Sequence, residues 1–206
     1  MVFIDYQNFY IALKNFSRMN GNKNYSVDFI KLADELNKET NLNSMLMKTY
    51  LFAYKPSDQL LELSNYKKYY DWLSNLKKNN YFEVIEGRQE VHRKNKDIGI
   101  DISDKKTYIT VEKGTDINLA VTMLTKAYSN AYDIAILVSG DTDYIPVVEV
   151  LHQLGKIVVI APIVIQNVSK YDTLKDAYIR IDDRILSNCD YKSQRETKSR
   201  SSQFKR

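Results

Sequence analysis

The chain is poor in the residues that mark most metal and redox chemistry. Its single cysteine, Cys189, allows neither a disulfide framework nor a cysteine-based zinc site, and it implies a reducing, cytoplasmic compartment. Two histidines, His92 and His152, lie far apart and exclude most histidine-rich metal sites. No apolar run approaches the roughly 20 residues of a membrane span, so no membrane partner is expected. The opening MVFIDY lacks a basic region and a long apolar core, and so does not read as a signal peptide. The turn after Ile4 contains no glycine, which argues against a dinucleotide-binding fingerprint, where glycine lets backbone approach pyrophosphate. There is no internal repeat and no low-complexity linker.

What is present describes a soluble globular chain of 206 residues, 44% hydrophobic and 27% charged. The net charge of +4 is unevenly placed. Residues 187–206 hold six basic and two acidic side chains, so residues 1–186 are formally neutral. The expected organisation is one domain over 1–186 and a basic, flexible tail over 187–206. Such a tail can engage phosphates, though a solvated terminus is the commoner role.

The pattern alternates strand and helix. Val2–Ile4 reads as a strand, followed at once by Asp5; Phe9, Ala12, Leu13 and Phe16 then fit a helical face. Ser26 is an expected cap for a second helix carrying Phe29, Leu32, Ala33 and Leu36. Met45–Tyr54 reads as a strand ended by Pro56, with one long helix from Ser57 or Asp58 to about Lys78. Trp72 and the tyrosines of that helix suit a stacking platform for nucleic acid, although at this spacing packing is the commoner role. Phe82–Ile85 reads as a short strand, and Gly87–Glu112 as a charged excursion in which only Tyr108–Val111 looks strand-like, with a two-stranded hairpin as one form it can take. Thr115 is the expected cap of the next helix. Ile134–Val138 is an uninterrupted apolar run, the mark of a strand covered on both faces. A helix over Ile145–Leu154, a strand over Ile157–Ala161, a weak helix over Val168–Ala177 and a short strand over Tyr178–Ile181 complete the series. The fold class is α/β: a three-layer α/β/α sandwich with a mostly parallel, Rossmann-like sheet.

Acids stand at the strand exits. Asp5 follows the first strand, Asp141 and Asp143 follow Ile134–Val138, and Asp116 opens the helix leading into that strand. Ordinary readings stand beside this: a polar turn at 139–143 with Thr142 or Asp143 capping the next helix, Asn8 as a helix N-cap, and Asp116 as an acid favoured by the helix dipole. Together, on adjacent strands, the acids would crowd one edge and repel, and a divalent cation relieves that. All-oxygen ligands favour Mg2+ or Mn2+.

FIDYQN at 3–8, KGTDINLAVTML at 113–124 and SGDTDYIPVVEVLHQLGKIVVI at 139–160 resemble, in order, the signature blocks of the NYN domain, the LabA-like branch of the PIN-like nuclease superfamily. The resemblance covers about 2–182. It implies a sheet of order 3-2-1-4-5 and a Mg2+- or Mn2+-dependent ribonuclease acting on RNA. It implies Asp5, Asp116, Asp141 and Asp143 as metal-binding and catalytic residues, with Asn8 beside them. One position departs: Thr122 stands where the family usually has a further Asp. That keeps a second expectation open, a non-catalytic RNA-binding module. Lys113, Arg88 and Arg93 are candidate substrate contacts, and Ser139 and Thr142 can hydrogen-bond the acids or a phosphate. Tyr6 and Tyr10 are placed to stack on a base, with core packing expected for one of them. A homodimer stays open.

Overall fold

The computed structural model describes residues 1–95 and 99–191; the tail residues 192–206 lie outside the described residues. Its centre is the strand β1, Val2–Asp5, all four residues buried. β1 pairs in parallel with β2 (Thr49–Lys55) on one side and with β5 (Ile134–Val138) on the other. Beyond them run β3 (Phe82–Arg93), β4 (Tyr108–Lys113), β6 (Ile157–Ile160) and β7 (Ala177–Tyr178). The sheet order is β4-β3-β2-β1-β5-β6-β7. With antiparallel β4 and two-residue β7 set aside as edges, this is the expected 3-2-1-4-5.

Period-two alternation divides each strand between two helical layers. Val2 and Ile4 join one core with Leu51, Val138 and Val159. That core is covered by α1 (Tyr6–Met19), α2 (Phe29–Glu39), α4 (Ser64–Leu76) and α7 (Asp183–Asn188). Phe3 points the other way, joining Tyr50, Phe52, Leu137 and Ile160 beneath α5 (Thr115–Tyr128) and α6 (Ile145–Gln153). A chain covered on both faces explains why β1 and β5 carry unbroken apolar runs. Among the described residues no helix is long and apolar enough to cross a membrane.

Several local expectations are corrected. Asp28, not Ser26, caps α2, its carboxylate accepting from Ile30 and Lys31 N–H. The long helix is two: α3 (Asp58–Leu61) and α4, separated by extended Leu63. On one straight helix Leu60 and Leu73 would lie about 220° apart. The break lets both be fully buried. β3 is far longer than Phe82–Ile85: past Arg88 it leaves β2 and turns back on β4, so the excursion is an edge hairpin. Val168–Ala177 forms only a 3-10 turn at Ser169–Tyr171. Packing also continues beyond residue 186, where α7 ends and Cys189 is fully buried.

Gly87 sits where the hairpin meets the start of α5. A Cβ there would lie 2.4 Å from Thr115 Oγ1, 2.7 Å from Lys113 O and 2.9 Å from Thr115 N. Two of these are backbone atoms that cannot rotate away. Gly87→Ala is expected to cost about 1–3 kcal/mol, read by urea denaturation; an unchanged midpoint would contradict the close approach.

Candidate active site

Because β1 and β5 are neighbours, their C-terminal ends deliver Asp5 and the Ser139–Asp143 turn to one edge, the position where open α/β sheets bind ligands. Asp5 is 3% exposed and is held from three sides. The Asn8 N–H donates to its Oδ1 at 3.1 Å, so Asp5, rather than Asn8, is the cap of α1. The Ser139 hydroxyl reaches its Oδ2 at 3.1 Å, and the Tyr144 hydroxyl reaches the same oxygen at 3.2 Å. Tyr144 Oη is also 3.2 Å from Asp116 Oδ1. One phenol therefore spans the gap between the first-block and second-block acids.

Asp141 caps the 3-10 turn Thr142–Tyr144, its Oδ1 accepting from Asp143 N–H at 3.0 Å. Its own N–H donates to Ser139 Oγ at 3.1 Å, and Tyr171 donates to its carbonyl. Asn8 works as a clamp: its side-chain oxygen accepts from Gly140 N–H at 2.9 Å and from Gln166 Nε2 at 2.8 Å. Gln166 had no signal in the sequence, since it lies outside the acid-bearing turns.

Asp5, Asp116 and Asp141 line a cavity of about 300 Å3, together with Asn8 and a carboxylate the sequence reading missed, Glu112. Glu112 lies on β4 opposite Gln89. Its signal was the alternation from buried Tyr108, which puts residue 112 on the same face. That signal was hidden because the charged stretch read as an excursion. Crowding is evident in proton affinity. Burial, with the Asp116 charge adding and the Asn8, Ser139 and Tyr144 hydrogen bonds opposing, pushes Asp5 up to about 6. Burial and the charges of Asp5 and Asp116 push Glu112 up to about 7. Burial and the same two acids raise the Tyr144 phenol far above its ordinary range.

Other predicted residues stand elsewhere. Asp143 is exposed and does not line the cavity. Ser139 is 2% exposed, and its hydroxyl faces Asp5 and not the cavity wall. Lys113, Thr142, Arg88 and Arg93 are not in the cavity wall either; Arg88 pairs with Glu90 at 2.8 Å on the exposed hairpin. Thr122 is half-buried on α5 and also lies outside the wall. At 1.5 Å rise per residue it is about 9 Å along the helix from Asp116. Thr115 is the first residue inside α5 and not its cap; Gly114, at φ +82°, holds that place.

The donor set is all hard oxygen, with no cationic side chain in the wall, which suits a hard divalent cation. The acids surround the cavity and do not close on one point: among the described residues no three His, Cys, Asp or Glu side chains meet closely enough to hold an ion as they stand.

The family model for the NYN domain matches residues 1–182. A crystal structure of a protein of unknown function from Vibrio parahaemolyticus superposes with a TM-score of 0.54 at 18% identity, covering 88% of this chain and 91% of that one. No curated protein matches the chain.

Proposed function

Since the chain belongs to the NYN domain family, a branch of the PIN-like nucleases, we propose that it hydrolyses RNA phosphodiester bonds with a bound Mg2+ or Mn2+. The observation that carries this reading is the cavity at the strand ends, which Asp5, Glu112, Asp116 and Asp141 line with no cationic side chain among its wall residues. When bound there, the cation would orient a water and stabilise charge on the attacking and leaving oxygens.

The residues divide by how they are held and by the wall they form. Asp5 is fixed by three donors and Asp141 by one. Asp116 and Glu112 close the opposite wall. Glu112 enters the ligand set ahead of Asp143, which as an exposed acid would act from the rim, as a base toward water. Asn8 keeps the Asp5 and Asp141 segments in register through Gly140 and Gln166. Lys113, Arg88, Arg93 and Thr142 remain candidates for contacting RNA outside the cavity. One chain supplies the whole wall, so a homodimer is not needed to complete it. A single, buried cysteine suits the cytoplasm.

The test is cleavage of a labelled single-stranded RNA by purified protein with Mg2+ or Mn2+ and with chelator. Cleavage that needs the cation is expected, and equal cleavage in chelator would sink the proposal. A second reading, RNA binding without turnover, draws on the acids' failure to converge on one point. Thr122→Asp separates the two. Because position 122 lies off the cavity, the variant is expected to cleave within about threefold of the unaltered chain, on the argument that distant surface changes are nearly neutral. A large gain of activity would mean that the site is degenerate and that position 122 repairs it.

A further inference from the structure

A second cavity opens on the other side of α1. It has a volume of about 180 Å3, and its wall is aromatic: Tyr6, Phe9, Tyr10, Tyr25, Phe29 and Trp72. Tyr10 stacks on Tyr6 at 5.7 Å and 17°, and Tyr6 meets Trp72 at 5.1 Å. The outermost ring, Tyr10, is 40% exposed. Lys14 Nζ lies 4.5 Å over that ring, putting a cation at the mouth. The space is open to solvent at the Tyr10 end, so a planar group can enter it from outside.

We infer that this pocket is a nucleobase subsite for single-stranded RNA. The inference rests on the nuclease reading for the identity of the strand. α1 joins the two cavities: Gln7, Asn8 and Ile11 face the acids, and Tyr6, Phe9, Tyr10 and Leu13 face the rings. A helix with its side chains is about 10–12 Å across, so a strand crossing the first turns of α1 reaches both. The wall carries no acid. The space is smaller than the roughly 300–1,000 Å3 of drug-sized sites, and fits one planar ring system. Stacking tolerates any base because every base has a π-face, and Lys14 can meet the adjoining phosphate.

Trp72 is the only tryptophan, so its emission reports on this pocket alone. The experiment titrates full-length protein, in chelator to prevent turnover, with a labelled single-stranded oligoribonucleotide and with an abasic strand of equal length. The base-bearing strand is expected to quench Trp72 and the abasic strand to leave it unchanged. Tyr10→Ala is expected to weaken binding of the base-bearing strand roughly 5- to 150-fold, with Tyr10→Phe close to the unaltered chain. Equal quenching by both strands, quenching by neither, or unchanged affinity in Tyr10→Ala overturns the subsite. Cation-dependent cleavage with a silent Trp72 removes the subsite and keeps the nuclease; a quenched Trp72 without cleavage in the presence of cation does the reverse.

Discussion

Asp5→Asn is expected to lower cation-dependent RNA cleavage by about 100-fold or more while leaving the fold intact. Altering only the outer partners of metal ligands costs 10- to 100-fold, and Asp5 is itself the most firmly held acid in the cavity. The substitution is nearly isosteric. The Asn oxygen can still accept from Asn8 N–H, and its amide can donate toward the Ser139 and Tyr144 oxygens, since hydroxyls also accept. The charge is what disappears, and with it the penalty of holding a carboxylate in a 97%-covered place beside Asp116. A melt by circular dichroism at pH 8 in chelator should therefore lie at or above that of the unaltered chain, alongside a cleavage rate near background once the cation is supplied. Full activity in Asp5→Asn would remove this acid from the chemistry, whatever the family suggests. Asp143→Asn, on the exposed rim, is expected to cost less than Asp5→Asn, and the reverse order would exchange their roles.

The second large effect is on stability against pH without metal. Asp5 and Glu112 titrate near 6 and 7 in the fold and near 4 in an unfolded chain. Between those limits the folded state binds more protons than the unfolded one, so stability falls as pH rises. The loss begins above about pH 4 and is complete a little above pH 7. For Asp5 alone, two pKa units correspond to about 3 kcal/mol; the half-buried Glu112 adds less than its shift suggests because solvent screens it. Urea midpoints measured in chelator from pH 4.5 to 8 should descend, and Glu112→Gln should flatten the upper part of that descent. Saturating Mn2+ should restore the loss at pH 8 and do little at pH 4.5, where protons hold the same oxygens. A midpoint that rises with pH in chelator would show that the acids are not crowded in solution.

The parts of the fold visible in the sequence were those where burial on both faces or a helical stripe left a strong apolar period. β1, β5, α1 and α2 were legible for that reason, and the sheet order followed from family resemblance. Elements with weak patterns were not. The outer half of β3 carries charge on both faces because the hairpin leaves the core, whereas β4 was partly legible in the strand-like run Tyr108–Val111. α7 is six residues, too short to establish a period. The segment Val168–Ala177 has helical spacing but is held by tertiary contacts, with Tyr171 fully buried. In the cavity, Asp5, Asp116 and Asp141 were visible because each stands at a strand exit or helix start. Glu112 was not, because its reach depends on the hairpin's register. Nor could the sequence reveal that Tyr144 would stand between two acids, since its aromatic ring already accounted for its place as a packing residue.

The Asn8 clamp and the Asp5–Ser139 contact tie together segments that ribosomes make at very different times. Ser139 lies 134 residues beyond Asp5 and Gln166 lies 158 residues beyond Asn8. At about 5–20 residues per second, roughly 7–27 s separate synthesis of the first contact's two halves. β1 also cannot gain its second neighbour until β5 has been made, so the central strand waits with one edge open for the same interval. A nascent chain thus holds one acid of the cluster early and the others only late. The cluster is then complete only in a chain that has passed the turn after β5, and one that stalls earlier lacks Asp141. The long-range closure that makes this topology slow to fold also delays assembly of the acid cluster until most of the chain that carries it has been built.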